Sequence, residues 1–129
     1  MRKQLFYHGS PVKGIKILKP KLDPRLGIKG VFIANEPFTP MLFSLLPSRA
    51  KSMVNSITKN GKFIRGEVIS PFPLNEEGYL YIVKPNKKYL IERKPGKYYV
   101  KNAVKVLRVK IVKKEKVLKM GWKVKVKTV

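Results

Sequence analysis

At 129 residues the chain has room for one domain with a single core. It has no cysteine and one histidine, so disulfides, thiolate chemistry and Cys-ligated metals are excluded, and a lone His with seven scattered acids gives no basis for a catalytic metal site. Thirty Lys and Arg against seven Asp and Glu leave a formal net charge of +23, which attracts polyanions: RNA, DNA, acidic protein or anionic lipid.

From the N-terminus, Gln4–His8 reads as a short buried strand, and the Gly9-Ser10 that follows allows a sharp turn and a close approach of backbone to a ligand. Ile15, Ile17 and Leu18 form a second apolar patch, closed by Lys19-Pro20. Residues 20–30 hold two prolines, two glycines and mixed charge, and are expected to form an exposed loop. Within them Gly27-Ile28-Lys29-Gly30 lacks the Gly-Lys-Ser/Thr ending of a phosphate loop and reads as a plain turn. Val31–Ala34 is a continuous apolar run, as in a strand covered on both faces. Asn35 or Thr39 can cap a helix with Pro37 or Pro40 in its first turn, with Met41, Leu42, Leu45 and Leu46 as its apolar stripe and Pro47 at its end. Ala50, Met53, Val54 and Ile57 then fall at i, i+3, i+4 and i+7, which predicts a second helix from Ser48 to about Lys59, stopped by Asn60-Gly61.

Beyond residue 62 the pattern turns to β. Lys62–Ile69, Tyr79–Val83 and Val104–Val112 read as strands, the last with a change of parity near Val106-Leu107 that predicts a bulge. Tyr89–Glu92 and Lys97–Lys101 flank Lys94-Pro95-Gly96, a hairpin signal. Lys113–Met120 fits either a short helix or a strand. Trp122, Val124 and Val126 alternate with Lys123, Lys125 and Lys127, giving one apolar and one cationic face. The element order predicts a single α+β domain over residues 1–129. No stretch reaches the roughly 18 apolar residues of a membrane span, and the start of the chain carries no leader pattern, so no membrane partner is expected and the cytoplasm is the default compartment.

His8 is the residue with the most chemistry to explain. A hydrophobic strand needs no imidazole, although a histidine satisfied by backbone would account for it equally. Its neighbours sharpen the question. Tyr7-His8-Gly9-Ser10, then Ile15-Lys16-Ile17-Leu18-Lys19-Pro20, then Val31-Phe32-Ile33-Ala34-Asn35 before a helix, resemble the N-terminal half of the ADP-ribosyltransferase-like fold, in particular small archaeal and bacterial proteins with a Tyr-His-Gly-Ser start. The resemblance covers residues 5–46 and continues weakly through Gly78–Val83 and the hairpin after it. It implies split antiparallel sheets, with two helices after the second or third strand, and a cleft for NAD.

In that fold the first-strand His hydrogen-bonds the nicotinamide ribose, a position His8 matches, with Tyr7, Gly9 and Ser10 beside it. The second position, where the family shapes its nicotinamide pocket with a Tyr or a Ser-Thr-Ser strand, falls on Phe32-Ile33-Ala34, which offers no hydroxyl; Phe32 and Ala34 would pack against the ligand. The third, a late-strand Glu that stabilises developing positive charge, has Glu92 as its candidate, while Tyr98-Tyr99 occupy the region in which the acid is sought. The resemblance thus implies an NAD- or nucleotide-binding domain: an ADP-ribosyl transferase with His8 and Glu92 as catalytic residues or, lacking the acid, a degenerate binder. RNA 2'-phosphotransferases of the same fold use histidines and arginines, but this chain lacks their second histidine.

The competing reading comes from charge alone. Residues 37–83 carry five basic and three acidic side chains, whereas residues 101–129 carry eleven basic residues and only Glu115. Lys110, Lys123, Lys125 and Lys127 would form the face of a non-catalytic RNA- or DNA-binding protein. Lysine-rich surfaces also mark thermophile proteins, but those mix Glu with Lys, and Glu is scarce here. Tyr79, Tyr81, Tyr89, Tyr98 and Tyr99 interleave with Lys and Arg as stacking platforms would, or as strand tyrosines facing a core. Glu76-Glu77 point apart and read as a solvated turn. Oligomeric state is not encoded in any pattern in the chain.

Overall fold

The structure is a computed structural model that describes residues 4–23, 26–47 and 51–127. Its strands are β1 (Phe6–Ser10), β2 (Ile17–Leu18), β3 (Lys21–Asp23), β4 (Ile28–Ala34), β5 (Met53–Lys59), β6 (Lys62–Ser70), β7 (Glu77–Val83), β8 (Leu90–Lys94), β9 (Lys97–Val100), β10 (Val104–Lys113) and β11 (Trp122–Val126). The helices are α1 (Phe38–Phe43), after β4, and α2 (Lys114–Met120), between β10 and β11. The chain is a mostly β member of the α+β class.

Eight strands form the main sheet in the order β2-β10-β7-β1-β4-β9-β8, with β3 paired to β4; β11-β6-β5 form a separate sheet. β1 therefore lies mid-sheet between β7 and β4, which pair with it on either side. Leu80 and Tyr81, adjacent on β7, mark opposite faces of the main sheet and belong to different cores. One core gathers Leu42, Leu45 and Leu46 from α1 and the turn after it, Leu80 and Val112 from the main sheet, and Val68 and Trp122 from the small one. The other gathers Phe6, Val31, Ile33, Tyr81, Val83 and Val100 on the opposite face. Trp122 stacks on Phe63 with ring centroids 5.1 Å apart.

Glu36 caps α1: its carboxylate accepts from the Phe38 N–H at 2.6 Å and the Thr39 N–H at 3.2 Å, and it holds Lys97 at 2.9 Å. The cap expected from Asn35 or Thr39 is thus supplied by Glu36 instead. The second predicted helix is a strand instead. Met53–Lys59 alternates exposed and half-buried positions and pairs antiparallel with β6. Asn60 and Gly61, at φ 53° and 74°, form the hairpin turn rather than a helix stop. The Ser48, Arg49 and Ala50 part of that expectation lies outside the described residues. The two helices accordingly do not both follow the early strands; the second lies at 114–120, where the sequence left helix and strand open.

Residues 20–30 also depart from the exposed loop: Lys21–Asp23 pairs with Ile28–Gly30 as a hairpin that buries Asp23. The bulge in β10 falls between Val106 and Arg108, as its parity predicts.

Candidate functional site

Strand parity divides β1 between two environments. Phe6, His8 and Ser10 pair with Val83, Tyr81 and Tyr79 and share their face, while Tyr7 and Gly9 share the face of Ile82 and Leu80. On the first face His8 and Ser10 line a cavity of about 500 Å³, together with Asp23, Lys19, Lys21 and Phe32. Val12, Ile15, Leu18 and Val31 add apolar wall. This volume falls within the range of small-molecule sites, roughly 300–1,000 Å³, and the mixture of apolar wall with a few polar groups is typical of them.

His8 is held where β1 and β4 part. Their ladder consists of the one pair Tyr7↔Ala34. Past it, His8 Nδ1 lies 2.7 Å from the Phe32 carbonyl oxygen. A carbonyl only accepts, so Nδ1 carries the proton, and in the neutral ring Nε2 is an acceptor. The loop over the cavity is tied down by Tyr81, which is fully buried: its hydroxyl donates to the Val12 carbonyl at 2.5 Å and accepts from the Ile15 N–H at 3.2 Å. Ser10 Oγ accepts from the Val12 N–H at 3.1 Å, bracing the same loop.

On the other face, Tyr7, Gly9 and Ala34 line a smaller cavity of about 80 Å³ with Thr39, Arg93 and Lys97, and Phe32 and Asp23 line both cavities. Gly9 does not turn the chain, since β1 continues through Ser10. Its missing side chain accommodates α1: a Cβ there would lie 1.8 Å from the Pro40 carbonyl oxygen. Arg93 reaches this side because β8 is bulged. Glu92 faces Tyr98 and Lys94 faces Lys97, leaving Arg93 as the extra residue, with its guanidinium 5.4 Å from the Phe32 ring centre.

Glu92 does not join His8. It is exposed on β8, separated from β1 by β9 and β4, which is roughly 14 Å at ordinary strand spacing. It hydrogen-bonds Tyr98, and burial first, then this bond, raises the Tyr98 phenol above its usual pKa. The carboxylate that does line the His8 cavity is Asp23, in a segment whose Pro and Gly content signalled only a loop. A hydrophobic Leu22 next to an acid ahead of a turn was the sole hint. Most tyrosines serve the core: Tyr81 is enclosed, Tyr79 and Tyr98 pack against the His8-side core, and Tyr98 meets Phe6 edge-on at 5.3 Å.

The four expected phosphate-binding lysines belong to two sheets. Lys123 and Lys125 lie exposed on β11, with Lys127 just beyond it, whereas Lys110 is on β10 of the main sheet. Lys123 stands opposite Glu67, which tempers the charge there. Among the described residues no cluster of acids and His suited to a metal occurs, and no helix is long and apolar enough to cross a membrane. Comparison with protein-family models, curated proteins and solved structures gives no match.

Proposed function

We propose that this domain binds NAD or a related adenine nucleotide in the cleft at His8, as its resemblance to ADP-ribosyltransferase-like proteins suggests. The observation that carries this reading is the seating of His8 on the Phe32 carbonyl, in the gap between β1 and β4 and beside a cavity of about 500 Å³. The side chains suit such a ligand. His8 stands where the first-strand His of the resembled fold meets the nicotinamide ribose, Lys19 and Lys21 can meet phosphate, and the apolar wall can cover a base. Transfer of the ADP-ribosyl group breaks the bond between nicotinamide and ribose C1', the electron pair leaving on nicotinamide, and forms a bond from C1' to an acceptor. A carboxylate is needed beside the positive charge that develops at C1', and preorganised charge of this kind contributes several kcal/mol. In this chain Asp23, not Glu92, is the candidate for that role.

The test separates binding from turnover. NAD at 100 times its Kd adds about 2.7 kcal/mol to stability, on the order of 10 °C in Tm for a domain of this size. That shift is expected for the wild type and for Asp23→Asn, but not for His8→Ala. Nicotinamide release is expected from the wild type and not from Asp23→Asn. No shift with any adenine nucleotide at millimolar concentration would remove the cofactor; a shift without nicotinamide release would leave a binder.

A second reading, a basic nucleic-acid-binding module, is favoured by one observation: Lys123 and Lys125 on β11 and Lys127 just beyond it are all exposed. Each phosphate contact steepens the fall of log affinity with log salt by about 0.7–0.9. The triple Gln variant should flatten the slope for a single-stranded oligonucleotide by about 2 to 3 units; an unchanged slope means these lysines are simply solvated.

A further inference from the structure

The outer edge of β10 lies two strands from β1, and its residues do not line the cavity at His8. β7 pairs with β10 along one side. On the other side β2 covers only Val104 and Lys105, and the Lys16 carbonyl accepts from the Val106 N–H at 2.9 Å. There the covering chain turns away, since the next amide back, Ile15 N–H, goes to Tyr81 Oη. From Leu107 to Lys113 no strand among the described residues pairs with this edge. Seven residues of strand amount to roughly 23 Å of backbone donors and acceptors.

The side chains along this edge are unusual for one left open to water. Leu107, Val109 and Ile111 are 54, 51 and 59% exposed. Val109 and Ile111 share one face with Tyr81 and Tyr79, while Arg108 and Lys110 occupy the other. Proteins ordinarily blunt a long apolar edge.

We propose that β10 docks an extended acidic polypeptide segment, added to the main sheet as a strand in line with β2. Its backbone would pair with Leu107–Lys113, its apolar side chains would cover Val109 and Ile111, and its carboxylates would meet Arg108 and Lys110. The chemistry of the edge selects this occupant. A second copy of β10 would set Arg108 and Lys110 against their own kind, on a chain already at +23. A nucleic acid would use the cations, but its phosphates only accept, so the strand's carbonyls and apolar row would go unmatched. A peptide edge offers both donors and acceptors, with specificity from alternate side chains.

The probe is a capped peptide of alternating Glu and Val, seven residues long, read by fluorescence anisotropy and by hydrogen exchange of the wild-type protein. The expected result is saturable binding that slows exchange within residues 107–113. Methylation of alternate peptide nitrogens, at unchanged charge, should weaken binding at least tenfold, as should the double variant Val109→Glu, Ile111→Glu, while His8→Ala should leave it unchanged. The hydrogen-exchange arm on the wild type stands even if the double variant fails to fold. The proposal is overturned if the peptide does not bind at 1 mM or if its N-methylated form binds equally. It is likewise overturned if an oligonucleotide of equal charge protects the same amides, or if the free protein dimerises with those amides already protected.

Discussion

The two faces of β1 meet quite different surroundings, although they are built from five consecutive residues. At Tyr7 and Gly9 the strand is pressed against α1, with only about 80 Å³ of cavity left. At His8 and Ser10 it faces about 500 Å³, bordered by a loop that buried Tyr81 and Ser10 both hold in place. Contact on one side makes the strand rigid, and that rigidity aims the imidazole on the other. Binding groups are most precise when carried on a strand that packing has already fixed.

The sharpest way to break this contrast is to place an alanine on each face. Gly9→Ala puts a Cβ into the backbone of α1, at 1.8 Å from Pro40 O and 2.9 Å from Ser44 N. Neither atom belongs to a flexible side chain, so α1 must move. The expected loss is about 3 kcal/mol or more, at the upper end of overpacking costs, read as a lower urea midpoint. Ser10→Ala on the open face removes one hydrogen bond to the Val12 N–H and should cost about 1 kcal/mol. Comparable losses from the two variants would mean that the faces are not distinct.

Tyr81→Phe tests how far the open face depends on its loop. Removal of the hydroxyl leaves the Val12 carbonyl and the Ile15 N–H without their shared partner. The cost should be about 1–3 kcal/mol, accompanied by faster hydrogen exchange in residues 11–16 and a smaller nucleotide-induced rise in Tm. A stability loss with unchanged ligand response would detach the loop from the site.

How much of this was legible in the sequence depends on whether a feature is local. β1, β4, the hairpin at Pro95-Gly96 and the bulge in β10 follow from short-range patterns. β5 does not, because its inward positions Val54, Ser56 and Thr58 are mostly polar while its outward positions include Met53 and Ile57. Inverted in this way, alternation is invisible, and a chance helical spacing takes its place. Ser56 is tolerated inward because its hydroxyl meets Thr39 Oγ1 at 2.8 Å. Asp23 was hidden for another reason: its burial comes from pairing with β4 and from the wall of a cavity assembled by several elements. The distance of Glu92 from His8 is likewise set by strand order, which no local pattern encodes. His8 itself was legible, because one imidazole in an apolar strand demands a reason.

The smallest expected effect lies at the far end of the open face, where Ser10, Tyr79 and Ile111 form one cross-strand row. Glu77, two residues before Tyr79, accepts from the Tyr79 hydroxyl at 2.9 Å and from Lys113 Nζ. The hydrogen bond from Lys113 first, then that from Tyr79, lowers the Glu77 pKa from its ordinary 4.5, and the same contacts with Glu77 raise those of Lys113 and Tyr79. A depressed folded-state carboxylate stabilises at pH values above its unfolded value, and the contribution fades as pH falls through the folded-state value. The two raised groups act in the opposite sense: their contribution is present below their ordinary values of 10.5 and 10.0 and is lost as pH climbs through the raised ones. Glu77 and Lys113 are both open to water, so the effect is that of a screened surface pair. Urea midpoints for wild type and Glu77→Gln should therefore differ slightly at pH 7 and converge below the ordinary pKa of 4.5, and 1 M salt should narrow the gap at pH 7. A gap that persists at pH 2 would show that Glu77 acts through packing of Tyr79 instead of through its charge, and would draw this end of the sheet into the rigid half of the contrast.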